Sequence, residues 1–135
     1  QLRVVRHEPL EAADTERTIE DAGLGLTALR NSLYQDVLPG FVADGTIRGP
    51  AGSGRFAPVA RADIADVAVA CLLDEQARGP IDVTGPELLD MAQVTAILSH
   101  ELGHEVRFVD ETLDEAYASR AHYGAPDWEV RGWVT

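Results

Sequence analysis

The stretch from Asp90 to Asp110, DMAQVTAILSHELGHEVRFVD, decides how this chain folds, because it holds His100-Glu101-Leu102-Gly103-His104, a complete HExxH pattern. In a zinc protease both histidines sit on one unbroken helix, so that they meet the same Zn²⁺ and the glutamate between them acts as general base. The flanking residues predict otherwise. Asp90 reads as an N-cap with Gln93 placed to reach back, and Met91, Val94, Ile97, Leu98 and Leu102 follow at helical spacing. Gly103 then stands where a helix-terminating glycine belongs, and Glu105 to Asp110 alternates with the period of a strand. His104 is therefore expected just past the helix. His100, about 200° around the axis from Leu98, is expected to face solvent. No third ligand of the usual form follows. Glu115 has a local role already, since Thr112-Leu113-Asp114-Glu115 is a capping box. The stretch reads as helix, glycine stop and strand, and a metalloprotease stays only as a remote alternative, with no metal expected.

Working outward, the other strings give the same alternation. Leu2 to Val5 reads as a strand, Glu8 to Ala22 as a helix with Pro9 near its start and Gly23 past its end, and Leu24 to Leu29 as a buried strand followed by an Arg30-Asn31-Ser32 loop. Leu33 to Val42 suggests a short helix interrupted at Pro39-Gly40, and Thr46 to Arg48 a short edge strand. Gly49 to Gly54 must be a loop, read as a surface hairpin turn, with Phe56 to Val59 resuming as a strand. Asp63 is expected to cap a buried helix reaching Leu73, with Cys71 as a packing residue inside it. Pro80 to Thr84 is a strand and Gly85-Pro86 a turn. A last helix spans about Leu113 to Tyr123, and Trp128 and Trp133 are expected to pack a C-terminal arm onto the domain. The fold class that follows is α/β: a largely parallel sheet flanked by helices.

Composition narrows the chemistry. The 135 residues, 45% hydrophobic, suffice for one modest domain, and a net charge of −12 argues against nucleic acid, whose phosphates need a cationic face. No long apolar run predicts a membrane span, and the single cysteine cannot form an internal disulfide, so a cytoplasmic location is expected. All eleven basic residues are arginine. A P-loop, a Schiff-base amine and a Tyr-x-x-x-Lys pair therefore cannot be completed within these residues.

Two glycine motifs mimic nucleotide sites. Gly23-Leu24-Gly25-Leu26-Thr27-Ala28 fits G-x-G-x-x-A, but that fingerprint must follow a strand and open a helix, and here the order is reversed. Gly49 to Gly54, between Arg48 and Arg55, is flexible enough to cradle an anion but has neither the following helix nor the lysine of a P-loop.

The ordered set Glu16, Leu26-Thr27-Ala28-Leu29-Arg30-Asn31-Ser32-Leu33-Tyr34, Gly45-x-Ile47-x-x-Pro50-x-Gly52-x-Gly54-Arg55, Arg61-x-Asp63-Ile64-Ala65 and Val83-Thr84-Gly85-Pro86-Glu87 resembles the C-terminal half of an NmrA-like atypical short-chain dehydrogenase/reductase, in its NAD(P)H:quinone oxidoreductase-like branch. The resemblance runs from about Glu8 to Trp128. It implies the C-terminal portion of a Rossmann-like parallel sheet with a small substrate-pocket subregion, one domain over 1–135 that lacks the N-terminal dinucleotide-binding half. It also implies NAD(P)H as cofactor, with Asn31, Ser32 and Tyr34 as cofactor contacts and Leu33 and Arg55 in the substrate pocket. Read from the residues alone, Asn31 and Tyr34 fit equally well as a polar loop residue and a packing aromatic.

The family's glycine-rich nucleotide loop is absent, and Ala12 and Ala13 stand where relatives often carry a lysine. Alone, the chain is thus expected to be inactive. The functional expectation is the substrate side of an NAD(P)H-dependent oxidoreductase acting on a quinone or similar carbonyl acceptor, a small molecule. The alternative is a non-catalytic module that senses dinucleotides. An open sheet edge would also let the chain pair with itself as a homo-oligomer.

Overall fold

A computed structural model describes residues 9–134, and the Leu2 to Val5 strand expected above lies outside them. The chain divides into two compact units: residues 37–55 with 89–134, and residues 9–36 with 56–88.

The second of these begins with helix α1 (Pro9–Asp21), which ends at Gly23 in the left-handed conformation (φ 71°). Strand β1 (Thr27–Asn31) follows, so the G-x-G-x-x-A string does leave a helix and enter a strand. Helix α2 (Arg61–Leu73) and strand β4 (Gly79–Val83) complete the unit. β1 and β4 pair in parallel from Thr27↔Gly79 to Asn31↔Val83, with α2 as the crossover that parallel strands require. β1 starts later than expected because its partner sets its limits: Leu24 is 63% exposed, while Arg30 and Asn31, expected in a loop, are in the ladder.

α2 corrects a second expectation. It begins at Arg61, two residues before Asp63, and among its described residues none is buried; Leu72 and Leu73 are 85% and 80% exposed. Its alanine and valine content sets hydrophobicity, not coverage. Cys71, expected in a core, is only half-buried and lines a cleft of about 250 Å³ with Thr27, Leu29, Ala68 and Leu72.

The other unit is built around the Asp90–Asp110 stretch. A 3₁₀ helix (Gln35–Phe41), which starts in the preceding unit, runs through Pro39 where an interruption was expected. Strand β2 (Thr46–Gly49) follows, and the two-residue strand β3 (Arg55–Phe56) carries the chain into the second unit. After β5 (Leu89–Asp90) comes α3 (Met91–Leu102) with its full capping box: Gln93 N donates to Asp90 Oδ1 at 2.9 Å, and Asp90 N to Gln93 Oε1 at 3.0 Å. Gly103 closes α3 in the left-handed conformation, with φ 71°. The Ser99 hydroxyl then accepts the Val106 N–H at 2.8 Å, fastening the outgoing chain to the helix. Val94, Leu98 and Val106 are buried in this corner. Asp90→Ala removes the cap acceptor and is expected to lower stability by about 1 kcal/mol, read as a shift in the urea midpoint with no change in slope.

Strand β6 (Arg107–Asp110) pairs in parallel with β2, from Thr46↔Arg107 to Gly49↔Asp110. The Gly49–Gly54 loop is consequently no hairpin turn: β2 takes a parallel partner far along the chain. Helix α4 (Leu113–Arg120) opens on the expected Thr112/Glu115 box. The backbone N–H of Thr112, and then its hydroxyl, hold the Glu115 carboxyl below the usual carboxylate range. A 3₁₀ turn (Ala121–Tyr123) and a further helix α5 (Asp127–Val134) end the described chain. Trp133 meets Tyr123 edge to face at 5.9 Å, but Trp128, expected to pack, is 74% exposed.

Candidate functional site

In open parallel α/β sheets, ligands bind outside the carboxyl ends of the strands. At the C-terminal end of β1 the chain runs Asn31-Ser32-Leu33-Tyr34, held from two sides by backbone bonds. Ser32 N donates to Val83 O at 2.9 Å, continuing the β4 ladder. Val59 N donates to Leu33 O at 3.0 Å, and Gln35 N to Val59 O at 2.9 Å, making a parallel bridge between Tyr34 and Val59. The peptide is thus fixed while its side chains stay accessible: Leu33 is 40% and Tyr34 36% exposed, and Asn31 is exposed. Asn31 Nδ2 donates to the Tyr34 hydroxyl oxygen at 3.4 Å, which leaves the phenolic proton available to another acceptor.

Two more contacts steady this edge. Arg30 grips Glu16 of α1 with both Nε (3.0 Å) and Nη2 (2.6 Å), and that hydrogen-bonded guanidinium holds the Glu16 carboxyl below its ordinary range. Gly85, just beyond β4, lies so close to Pro58 that any Cβ there would overlap the Pro58 carbonyl oxygen. The sequence marked Gly85 as a turn and as part of the Val83–Glu87 landmark, with no physical reason for a glycine; that reason comes from a neighbour 27 positions away.

Of the residues expected in a site, Asn31, Ser32, Leu33 and Tyr34 are therefore brought together, and Arg55 belongs to the other unit. There the glycine-rich loop is already engaged: Ala51 N and Gly52 N both donate to Asp110 Oδ1, at 3.1 and 2.8 Å. Sequence reading missed Asp110. The available signal was that a glycine loop with aligned N–H groups needs an acceptor, and that a carboxylate ends the adjacent strand.

The HExxH residues make no metal site. The His100 side chain is 86% exposed and lies 3.0 Å from Glu101, and His104 Nδ1 is 3.3 Å from the Glu105 carbonyl oxygen. Among the described residues no cluster of histidine, cysteine and carboxylate groups could hold a metal ion.

No protein-family model matches. The chain is 27% identical over 122 residues to quinone oxidoreductase 2 of Escherichia coli, covering 87% of this chain and 43% of that protein. It is 29% identical over 122 residues to an NAD(P)H azoreductase of Xenophilus azovorans, covering 84% and 42%. The crystal structure of the E. coli NADPH-dependent quinone oxidoreductase with NADPH superposes with a TM-score of 0.76 at 26% identity, over 89% of this chain and 44% of that one. These similarities are the ones expected of the C-terminal part of an NmrA-like atypical short-chain dehydrogenase/reductase. The chain spans less than half the length of the relatives it matches. The Rossmann-like, mixed α/β character expected from the sequence is that of these neighbours. No described helix is long and apolar enough to cross a membrane.

Proposed function

We propose that this chain furnishes the acceptor-side part of an NAD(P)H-dependent oxidoreductase that reduces a quinone or similar carbonyl compound. The observation that carries the reading is the Asn31–Tyr34 segment, pinned by its backbone at the C-terminal end of a parallel strand with its polar side chains accessible. The matched relatives, a quinone reductase and an azoreductase, support the reaction class.

Whether these residues suit the cofactor depends on which part of it is considered. The pyrophosphate finds no cradle among the described glycine motifs: one ends a helix, and the other gives its N–H groups to Asp110. The amide of Asn31 and the hydroxyls of Ser32 and Tyr34 do suit a nicotinamide carboxamide, which both donates and accepts. NAD(P)H, when bound, supplies the hydride. Asn31, Ser32 and Tyr34 then act as cofactor contacts that orient the ring against the acceptor, and the Tyr34 phenol donates to the acceptor carbonyl. Leu33 and Arg55 are assigned to the substrate pocket on the family resemblance. The phosphate-binding segment and the complete activity belong, on this reading, to polypeptide beyond these residues.

The test is NADPH oxidation with menadione by the polypeptide that carries this chain, with Asn31→Ala and Tyr34→Phe compared at saturating NADPH. Each variant is expected to lose about tenfold to a hundredfold in kcat/KM, the scale of one or two orienting hydrogen bonds. Unchanged kinetics in both variants would remove these residues from the site. A second reading, a dinucleotide-sensing module, is favoured by the missing lysine, which leaves no Tyr-x-x-x-Lys pair. It predicts NADPH binding with no consumption against any quinone offered.

A further inference from the structure

We propose that the Asp110 carboxylate is the latch of the Gly49–Gly54 loop and, through it, a positioning residue for Arg55. Asp110 ends β6 opposite Gly49, the last residue of β2, so its side chain stands at the mouth of the loop that leaves β2. One oxygen, Oδ1, accepts two successive backbone N–H groups, Ala51 at 3.1 Å and Gly52 at 2.8 Å. Gly52 is left-handed (φ 51°), the geometry that lets consecutive amides converge on one anion.

The neighbouring contacts hold the start of the loop. Glu111 N donates to Gly49 O at 3.1 Å, and Arg120 Nη2 donates to Arg48 O at 3.0 Å. Inside the loop Gly54 N donates to Ala51 O at 2.8 Å, so the peptide that Asp110 fixes is the one that turns the chain into Arg55. Three glycines and a serine in six residues would otherwise sample many conformations. A carboxylate on two amides selects one. The loop's resemblance to an anion cradle is thereby explained: the cradle is formed, and an internal carboxylate fills it. The role of Arg55 in an acceptor pocket rests on the function proposed above; the latch itself does not.

The two parts are tested separately. Hydrogen exchange on this chain should show the Ala51 and Gly52 amides protected at least about tenfold relative to an unstructured peptide. Asp110→Ala should abolish that protection at Gly52 and lower it at Ala51, whose N–H also donates to Gly49 O at 3.1 Å, while Asp110→Asn, which retains an acceptor oxygen, should keep most of it. Trypsin cuts only after arginine in a chain without lysine, so cleavage after Arg55 should accelerate about tenfold in Asp110→Ala and little in Asp110→Asn. Unprotected amides in the unmodified chain, or unchanged exchange and cleavage in Asp110→Ala, overturn the latch. Should Asp110→Ala fail to fold, the unmodified chain and Asp110→Asn still decide it. For positioning, measured in the polypeptide that carries this chain, the KM for menadione should rise about tenfold in Asp110→Ala, with NADPH affinity unchanged and with recovery in Asp110→Asn. A freed loop with an unchanged KM overturns the positioning role alone, whereas no menadione reduction by the unmodified protein overturns the proposed function, and the positioning role with it, while leaving the exchange result to stand.

Discussion

Arg120→Ala is expected to cost about 3–5 kcal/mol of stability, the scale on which losing one partner strands the other charge in a buried pair. The Arg120 and Glu111 side chains are only 15% and 6% exposed, with Nη1 of Arg120 2.9 Å from Glu111 Oε2. The same guanidinium donates to Ala116 O and Ser119 Oγ at 3.0 Å each, and through Nη2 to Arg48 O. Truncation therefore leaves a carboxylate without its cation and takes a donor from the Arg48 carbonyl at once. Arg120→Lys keeps the charge but not the planar fork, so it is expected to recover only part of the loss. Changing both partners, as Arg120→Met with Glu111→Leu, should cost much less than Arg120→Ala, because no charge is then stranded. Urea denaturation of the set checks this; a double variant no more stable than Arg120→Ala would contradict it.

Gly85→Ala is expected to be nearly as damaging, by about 3 kcal/mol, at the upper end of overpacking costs. The new methyl would overlap the Pro58 carbonyl oxygen and come within 3.0 Å of the Pro58 carbonyl carbon. Neither neighbour can withdraw cheaply. Val59 is 2% exposed and is bonded on both sides to Leu33 and Gln35, while Gly85 N itself donates to Ala57 O at 3.2 Å. Relief must come from the backbone, and that displacement passes directly to Leu33 and Tyr34. Gly132→Ala supplies the contrast: it lies in α5 with nothing within 4 Å of its would-be Cβ, and alanine there should stabilise by about 0.5–1 kcal/mol. Equal melting of Gly85→Ala and the unmodified chain would show that the Pro58 peptide yields freely.

These two sites also explain what the sequence disclosed. α3, Gly103 and the Thr112 box were legible because caps and glycine stops act over three or four residues, within the reach of local pattern. The limits of β1 were not, since Leu24 and Asn31 are sorted by a partner strand more than fifty residues on. α2 misled for a related reason: apolar content says a surface can be covered, not that it is. The Asn31–Tyr34 segment was reached through the family resemblance, with its glycines and polar residues in order. Asp110, Glu111 and Arg120 were not, because their partners at Arg48 to Gly52 lie roughly sixty to seventy positions away, and each residue alone resembles an ordinary surface charge.

The parallel ladder between β1 and β4 carries one more consequence, for the order of events as the chain folds. Thr27 cannot meet Gly79 until α2 and everything between has been made and drawn into place, so the ladder closes a long loop before any of its bonds form. Capped helices such as α3 can form from local information alone. The β1 edge cannot, and its last rung, Ser32 on Val83, waits for the whole crossover. The segment proposed to meet the cofactor is thus expected to be among the latest parts of its unit to acquire shape, which pulsed hydrogen exchange during refolding would check.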